Sequence, residues 1–253
     1  MKKVWMGLAI FALASSGLAA EKKDKVAESE DIVQKGVVTT FSAGLTLTDG
    51  NSETLAANAA LKTEGDKEGL GSVLAGVEAN YGESTVDEVE DTTVENAKVF
   101  ANVKKTLSPR TFGYLDASVL YDDVALIDYR ATVGPGLGAY LIKNDKRTLS
   151  MEAGPSYVWE QVDGASDDYL ALRFAERYTC QISATAKIVQ SLEYMPAADD
   201  FDDYLLNGEI GVEAAMTERV SLKLVLQDKY DSTPATETEY NDLSLIAGLG
   251  FAL

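Results

Sequence analysis

The chain has 253 residues, 46% of them hydrophobic, a formal charge of -19, one cysteine and no histidine. The charge excludes nucleic acid as a partner, because phosphates require clustered Lys and Arg. The missing histidine excludes Ser-His hydrolysis, imidazole base catalysis and His-ligated transition metals, and a lone cysteine excludes an internal disulfide.

In chain order, Lys2 and Lys3 precede the uncharged run 4–20, which closes on small residues at Gly17, Ala19 and Ala20. A basic end, an apolar stretch too short to span comfortably and a small-residue cleavage site predict a secretory signal over residues 1–20. No lipid-acceptor cysteine follows. Residues 21–35 are charged and poorly periodic, and predict a spacer on the periplasmic side. Beyond them, charges interrupt every apolar stretch before it could form a membrane helix. An exported chain of this kind spans a membrane only as a closed barrel.

From Gly36 to Leu253 the pattern is period two, broken by Gly, Pro, Asn, Asp and charge clusters. Twelve strands are predicted, over 37–48, 54–63, 70–81, 93–106, 111–121, 129–142, 148–159, 169–182, 185–195, 204–215, 220–230 and 242–253. In the first, Phe41, Ala43, Leu45 and Leu47 alternate with Thr40, Ser42, Gly44 and Thr46. The eighth is less regular, with Glu176 on its apolar side and Cys180 as a small hydrophobe on that side. The last sets Leu243, Leu245, Ala247, Leu249, Phe251 and Leu253 against small residues. An even number of strands, each long enough to cross a bilayer at a tilt, predicts an all-β fold. That fold is a transmembrane antiparallel up-and-down β-barrel of a Gram-negative outer membrane.

Two asymmetries orient it. The odd-numbered links, 48–53, 82–92, 122–128, 160–168, 196–203 and 231–242, hold twenty-two Asp or Glu and no Lys or Arg. The even-numbered links are shorter and include Lys67, Arg110, Lys143, Arg147 and Arg219. Short turns belong to the periplasmic end, so the acidic links face outward. On the apolar face Tyr81, Tyr121, Tyr129, Trp159, Tyr194, Tyr204 and Tyr230 all fall beside acidic links. Such rings, apolar at one end and wet at the other, predict an aromatic girdle against outer-membrane lipid and lipopolysaccharide. A soluble barrel has no reason to gather them at one rim.

The stretches Gly50-Asn51-Ser52-Glu53-Thr54, Tyr129-Arg130-Ala131-Thr132-Val133-Gly134-Pro135-Gly136-Leu137-Gly138-Ala139-Tyr140 and Glu152-Ala153-Gly154-Pro155-Ser156-Tyr157 resemble the salt-induced outer-membrane proteins. That Gram-negative barrel family has no assigned biochemical role. The resemblance covers 36–253 and implies an outer-membrane location and a link to salt or osmotic stress. It transfers no catalytic residue. Barrels of this kind usually end on an aromatic residue, whereas here Leu253 is last and Phe251 lies two before it. That departure bears on handling by the barrel-assembly machinery.

The polar face predicts the lumen. Glu78, Lys98, Arg130, Glu152, Arg173, Arg177, Glu209 and Lys223 are the candidate lumen charges, with Lys104, Asp116, Glu193 and Glu213 on the same face. They form either a narrow polar pore whose charges tune selectivity, or a set of ion pairs that fills and rigidifies the interior. Gly134, Gly136 and Gly138 have no helix after them, as a nucleotide fingerprint requires, and either leave room for inward side chains or permit curvature. The paired acids Asp122-Asp123, Asp167-Asp168, Asp199-Asp200 and Asp202-Asp203 have no EF-hand spacing. Their functional reading is a rim that holds divalent cations; the alternative is a merely solvated edge. The sequence thus predicts no enzyme and no cofactor. It predicts a structural or narrow-pore barrel, with a cation- or ligand-binding surface barrel as the alternative.

Overall fold

The computed structural model describes residues 36–48, 53–67, 70–86, 89–236 and 238–253. The expected signal 1–20 and spacer 21–35 lie outside them. Alternating side chains dictate strands, and twelve form: β1 (Val37–Thr48), β2 (Glu53–Lys67), β3 (Gly71–Val86), β4 (Val89–Thr106), β5 (Thr111–Asp122), β6 (Ile127–Lys143), β7 (Arg147–Val162), β8 (Ala165–Gln181), β9 (Ala186–Pro196), β10 (Tyr204–Ala215), β11 (Val220–Asp231) and β12 (Asn241–Ala252). Each pairs antiparallel with its neighbours in sequence, and β1 pairs with β12, so the sheet closes. There is no helix among the described residues.

The strands differ from expectation at the acidic end, where several are taller. β3 and β4 run on through most of the expected link 82–92, with Glu83 opposite Thr92 and Ser84 opposite Asp91. β7 and β8 run through 160–168 and meet at Asp163-Gly164, whose φ angles of 50° and 73° are those of a two-residue primed hairpin turn. The ladder needs only backbone groups, so acidic side chains standing in water do not end a strand. Asp-Gly between two paired runs was the stronger signal.

The opposite end is built on one repeated device. In the turn from Leu107 to Thr111, Ser108 Oγ accepts from the N–H groups of Arg110 and Thr111 at 3.3 and 3.1 Å. Asn144, Ser183 and Thr217 do the same for the N–H groups two and three residues ahead. Each side chain satisfies turn donors that no ladder partner reaches.

Outward-facing residues form an apolar band: Leu45 is 65% exposed, Leu137 66% and Leu245 69%. A continuous apolar exterior of this extent is a surface made for a non-aqueous partner. Inside, the core is local. Phe112 and Tyr114 point inward from β5 and are 1% and 5% exposed; Val158, Ala171, Met195 and Leu205 form a second cluster against Tyr169.

Candidate functional site

The interior of the barrel is the candidate site, and alternation places polar side chains there from every strand. Their arrangement is uneven. Over β4–β9 the lumen is filled. Arg173 is the hub: Nε donates to Glu193 at 2.6 Å and Nη1 to Glu152 at 2.8 Å, while Nη2 lies 3.5 Å from Asp116. Lys104 Nζ is 2.6 Å from Glu152, and Asn102 Nδ2 donates to Asp116 at 3.0 Å and to Glu152 at 3.2 Å. Lys104 also lies over the Phe112 ring, and Arg173 over Tyr114, so the two aromatics floor the network. Glycine makes room for them. A Cβ on Gly136 would stand 2.4 Å from the Tyr114 ring, and one on Gly138 2.3 Å from Phe112.

Two further sets of charges cross the lumen between strands that are not neighbours. Near the acidic end, Arg130 of β6 pairs with Glu160 beside it and with Asp231 of β11 at 2.9 Å; Lys229 of β11 reaches Asp122 of β5 at 3.4 Å. Near the opposite end, Glu64 of β2 receives Lys62 at 3.2 Å, Lys187 of β9 at 3.5 Å and Arg177 of β8 at 3.6 Å, and Lys187 also meets Glu213 at 3.4 Å.

Two cavities remain in the lumen, the upper bordering the Arg173 network at Glu193 and the lower lying among β1–β3 and β9–β12. The upper, about 100 Å³, is lined by Lys98, Asp122, Arg130 and Lys229, among others, and by the β11–β12 connection at Pro234 and Thr238. The lower, about 130 Å³, is lined by residues that include Glu78, Glu209 and Lys223. Their linings come next to one another at the β3–β4 pair, where Glu78 of the lower stands in register with Lys98 of the upper.

The sequence-predicted lumen charges therefore fall into separate groups: Glu152 and Arg173 in the network, Lys98 and Arg130 above, and Glu78, Arg177, Glu209 and Lys223 below. Four acids that complete these groups, Glu64, Asp122, Glu160 and Asp231, were expected in links and lie instead inside the barrel. A strand boundary drawn at the first acid hid them; continued alternation past that acid is the signal that finds them. Phe112 and Tyr114 were also missed, because an aromatic on a polar face reads as an exception rather than as filling.

On the outside, Tyr81, Tyr121, Tyr129 and Trp159 are exposed. Tyr81 donates its hydroxyl to Glu83 at 2.8 Å and Tyr121 to Asp123 at 3.2 Å, each two residues ahead on the same face. Phe174, Tyr194, Tyr204, Tyr230 and Tyr240 form a ladder of rings, with successive centroids 6.4, 5.4, 5.6 and 6.3 Å apart. Three of the residues expected in a girdle, Tyr194, Tyr204 and Tyr230, thus stand in one strip of rings over β8–β11, extended by Tyr240 from the connection to β12.

Residues 41–253 match the family described as "Protein of unknown function, DUF481". The chain belongs to this family. No curated protein matches the sequence. Among solved structures, this member of the family is similar to the NanC porin, at 11% identity and a TM-score of 0.53 over 85% of this chain and all of the porin. Also similar are the KdgM porin (8% identity, 86% of this chain and 99% of that one, TM-score 0.46) and an outer-membrane channel from Pseudomonas putida F1 (11%, 91% and 100%, 0.45). The likeness to the NanC porin is one of fold.

Proposed function

We propose that this protein is a non-enzymatic barrel of the bacterial outer membrane whose lumen is a narrow polar pathway for ions and small solutes. The observation that carries this reading is the pair of cavities at successive levels of the lumen, where Glu78 of the lower stands opposite Lys98 of the upper and the salt bridges in their linings, Arg130–Asp231 above and those of Glu64 below, are made by side chains. Side-chain plugs move without unfolding the sheet. The apolar exterior, the aromatic strip beside the acidic rim and the likeness of fold to the NanC porin support the membrane setting. In this reading the chain is exported by its signal segment and inserted by the barrel-assembly machinery. Its girdle meets lipid and lipopolysaccharide, and divalent cations bridge its acidic rim to lipopolysaccharide. The resemblance to salt-induced outer-membrane proteins adds a role in the envelope response to salt or osmotic stress.

Planar-bilayer recording of the purified protein tests the pathway. Discrete conductance steps are expected, and Glu64→Ala should enlarge them, because Glu64 is the acid on which Lys62, Lys187 and Arg177 converge. Electrical silence of both proteins, together with stabilisation by calcium, would favour a cation-binding surface barrel instead. Heat-modifiable gel mobility checks the barrel in the same preparation.

A further inference from the structure

The lower cavity is graded in charge along its length. Toward the acidic end, Glu78 of β3 and Glu209 of β10 enter it from different walls. Neither has an ion pair or hydrogen bond with a described side chain. The charges acting on Glu78 are those of Lys98, Glu209, Lys62 and Lys229. Toward the basic-turn end cations prevail. Lys62, Lys187 and Arg177 are shared among Glu64 and Glu213, while Lys223, opposite Glu213 in register, makes no short ion pair among the described residues and feels Glu213 and Glu64 only at longer range. Between these levels, Val189, Gly211, Val225 and Ile246 stand in register across β9–β12, a row without a polar side chain facing a polar lumen.

Each feature asks for a different part of a ligand. Half-buried carboxylates without a short ion pair are stabilised by a cation that comes closer, and a half-buried lysine in the same position by a closer anion. An inorganic cation would serve Glu78 and Glu209 but leave Lys223 with only the longer-range charges of Glu213 and Glu64 and the apolar row uncovered; an inorganic anion would do the reverse. We infer that the lower cavity binds a small zwitterion whose ammonium and carboxylate are separated by a short aliphatic segment. The ammonium sits at Glu78 and Glu209, the aliphatic segment lies on Val189, Val225 and Ile246, and the carboxylate meets Lys223 and Lys62. A cavity of roughly 150 Å³ accepts the six carbons of benzene, so one of about 130 Å³ has room for an aliphatic segment of about four methylenes between the two charged ends. This site rests on the reading of the lumen as a solute pathway and names the class of solute.

The test is calorimetric titration of the refolded full-length protein in detergent with 5-aminopentanoate, pentylamine and pentanoate. The zwitterion should bind at least tenfold more tightly than either singly charged analogue. In the double variant Glu78→Gln/Glu209→Gln its advantage over pentanoate should vanish, and in Lys223→Met its advantage over pentylamine should vanish. Equal affinities for the three compounds, or no binding of the zwitterion, would overturn the assignment. That comparison uses the unaltered protein and stands even if the variants misfold. Conductance of the same preparation separates the two readings: an electrically silent barrel that selects the zwitterion refutes the pathway and keeps the site, whereas a conducting barrel indifferent to it refutes the site.

Discussion

The two sides of the lumen are made of the same alternating strands and reach opposite ends. Over β5–β8 the inward positions carry Phe112, Tyr114, Glu152 and Arg173, all less than a tenth exposed. Over β1–β3 they carry Ser42, Asn58, Ala60, Glu78 and Asn80, which line open space. Polarity does not distinguish the sides, since both hold acids, amides and cations. Volume does. Where large inward groups meet glycines across a strand pair the interior packs, and where small ones recur it stays hollow.

The sharpest way to break this contrast is Arg173→Ala. One guanidinium serves Glu152, Glu193 and Asp116, and removing it leaves buried carboxylates without their main counter-charge. A loss of about 3–5 kcal/mol is expected, read from the urea midpoint for conversion to the unfolded gel band. A change under about 1 kcal/mol would mean that the network does not hold the packed side together.

Gly136→Ala probes fit on the same side. Its Cβ would stand 2.4 Å from the Tyr114 ring, so a cost of about 1–3 kcal/mol is expected. The double variant with Tyr114→Leu should recover most of it, in a cycle measured by the same unfolding assay. No recovery would assign the glycine to backbone shape instead of side-chain room.

The smallest stability effect belongs to the hollow side. Ala60→Leu projects into the lower cavity, and the urea midpoint should move by no more than about 0.5 kcal/mol while single-channel conductance falls. A large stability loss there would show that the hollow side is as tightly packed as the other.

The fold was legible in the sequence because period two specifies both faces of a strand at once: Leu45, Leu137 and Leu245 could only be outside once Ser42, Gly138 and Ser244 were inside. The packed and hollow sides were not legible, because the partner of an inward residue lies on the next strand or across the lumen. Gly136 announces a close approach but not that Tyr114 fills it. Arg130 announces a need for acids, yet Asp231 comes from a strand that is not its neighbour. The tall hairpins were obscured for a different reason. Acid content suggests the end of a strand, although Asp163-Gly164 marks the turn and Glu160 still keeps the alternation.

The closing seam bears on the order of assembly. β1 and β2 are paired from Val37 opposite Gly65 to Thr48 opposite Thr54, a hairpin that can form as soon as it is made. β1 and β12 share the short stretch from Thr40 opposite Ala252 to Ala43 opposite Leu249, continued by the Leu253 N–H donating to the Thr39 carbonyl at 3.0 Å, between opposite ends of the described chain. Just beyond it, a Cβ on Gly44 would stand 2.2 Å from the carbonyl oxygen of Ala247, so the strands touch backbone to backbone where the ladder has thinned. Loop-closure entropy puts this contact last, after eleven local hairpins have formed. Until then β1 and β12 are open edges, so the rate at which this short seam zips governs how long the nascent sheet stays vulnerable to wrong partners.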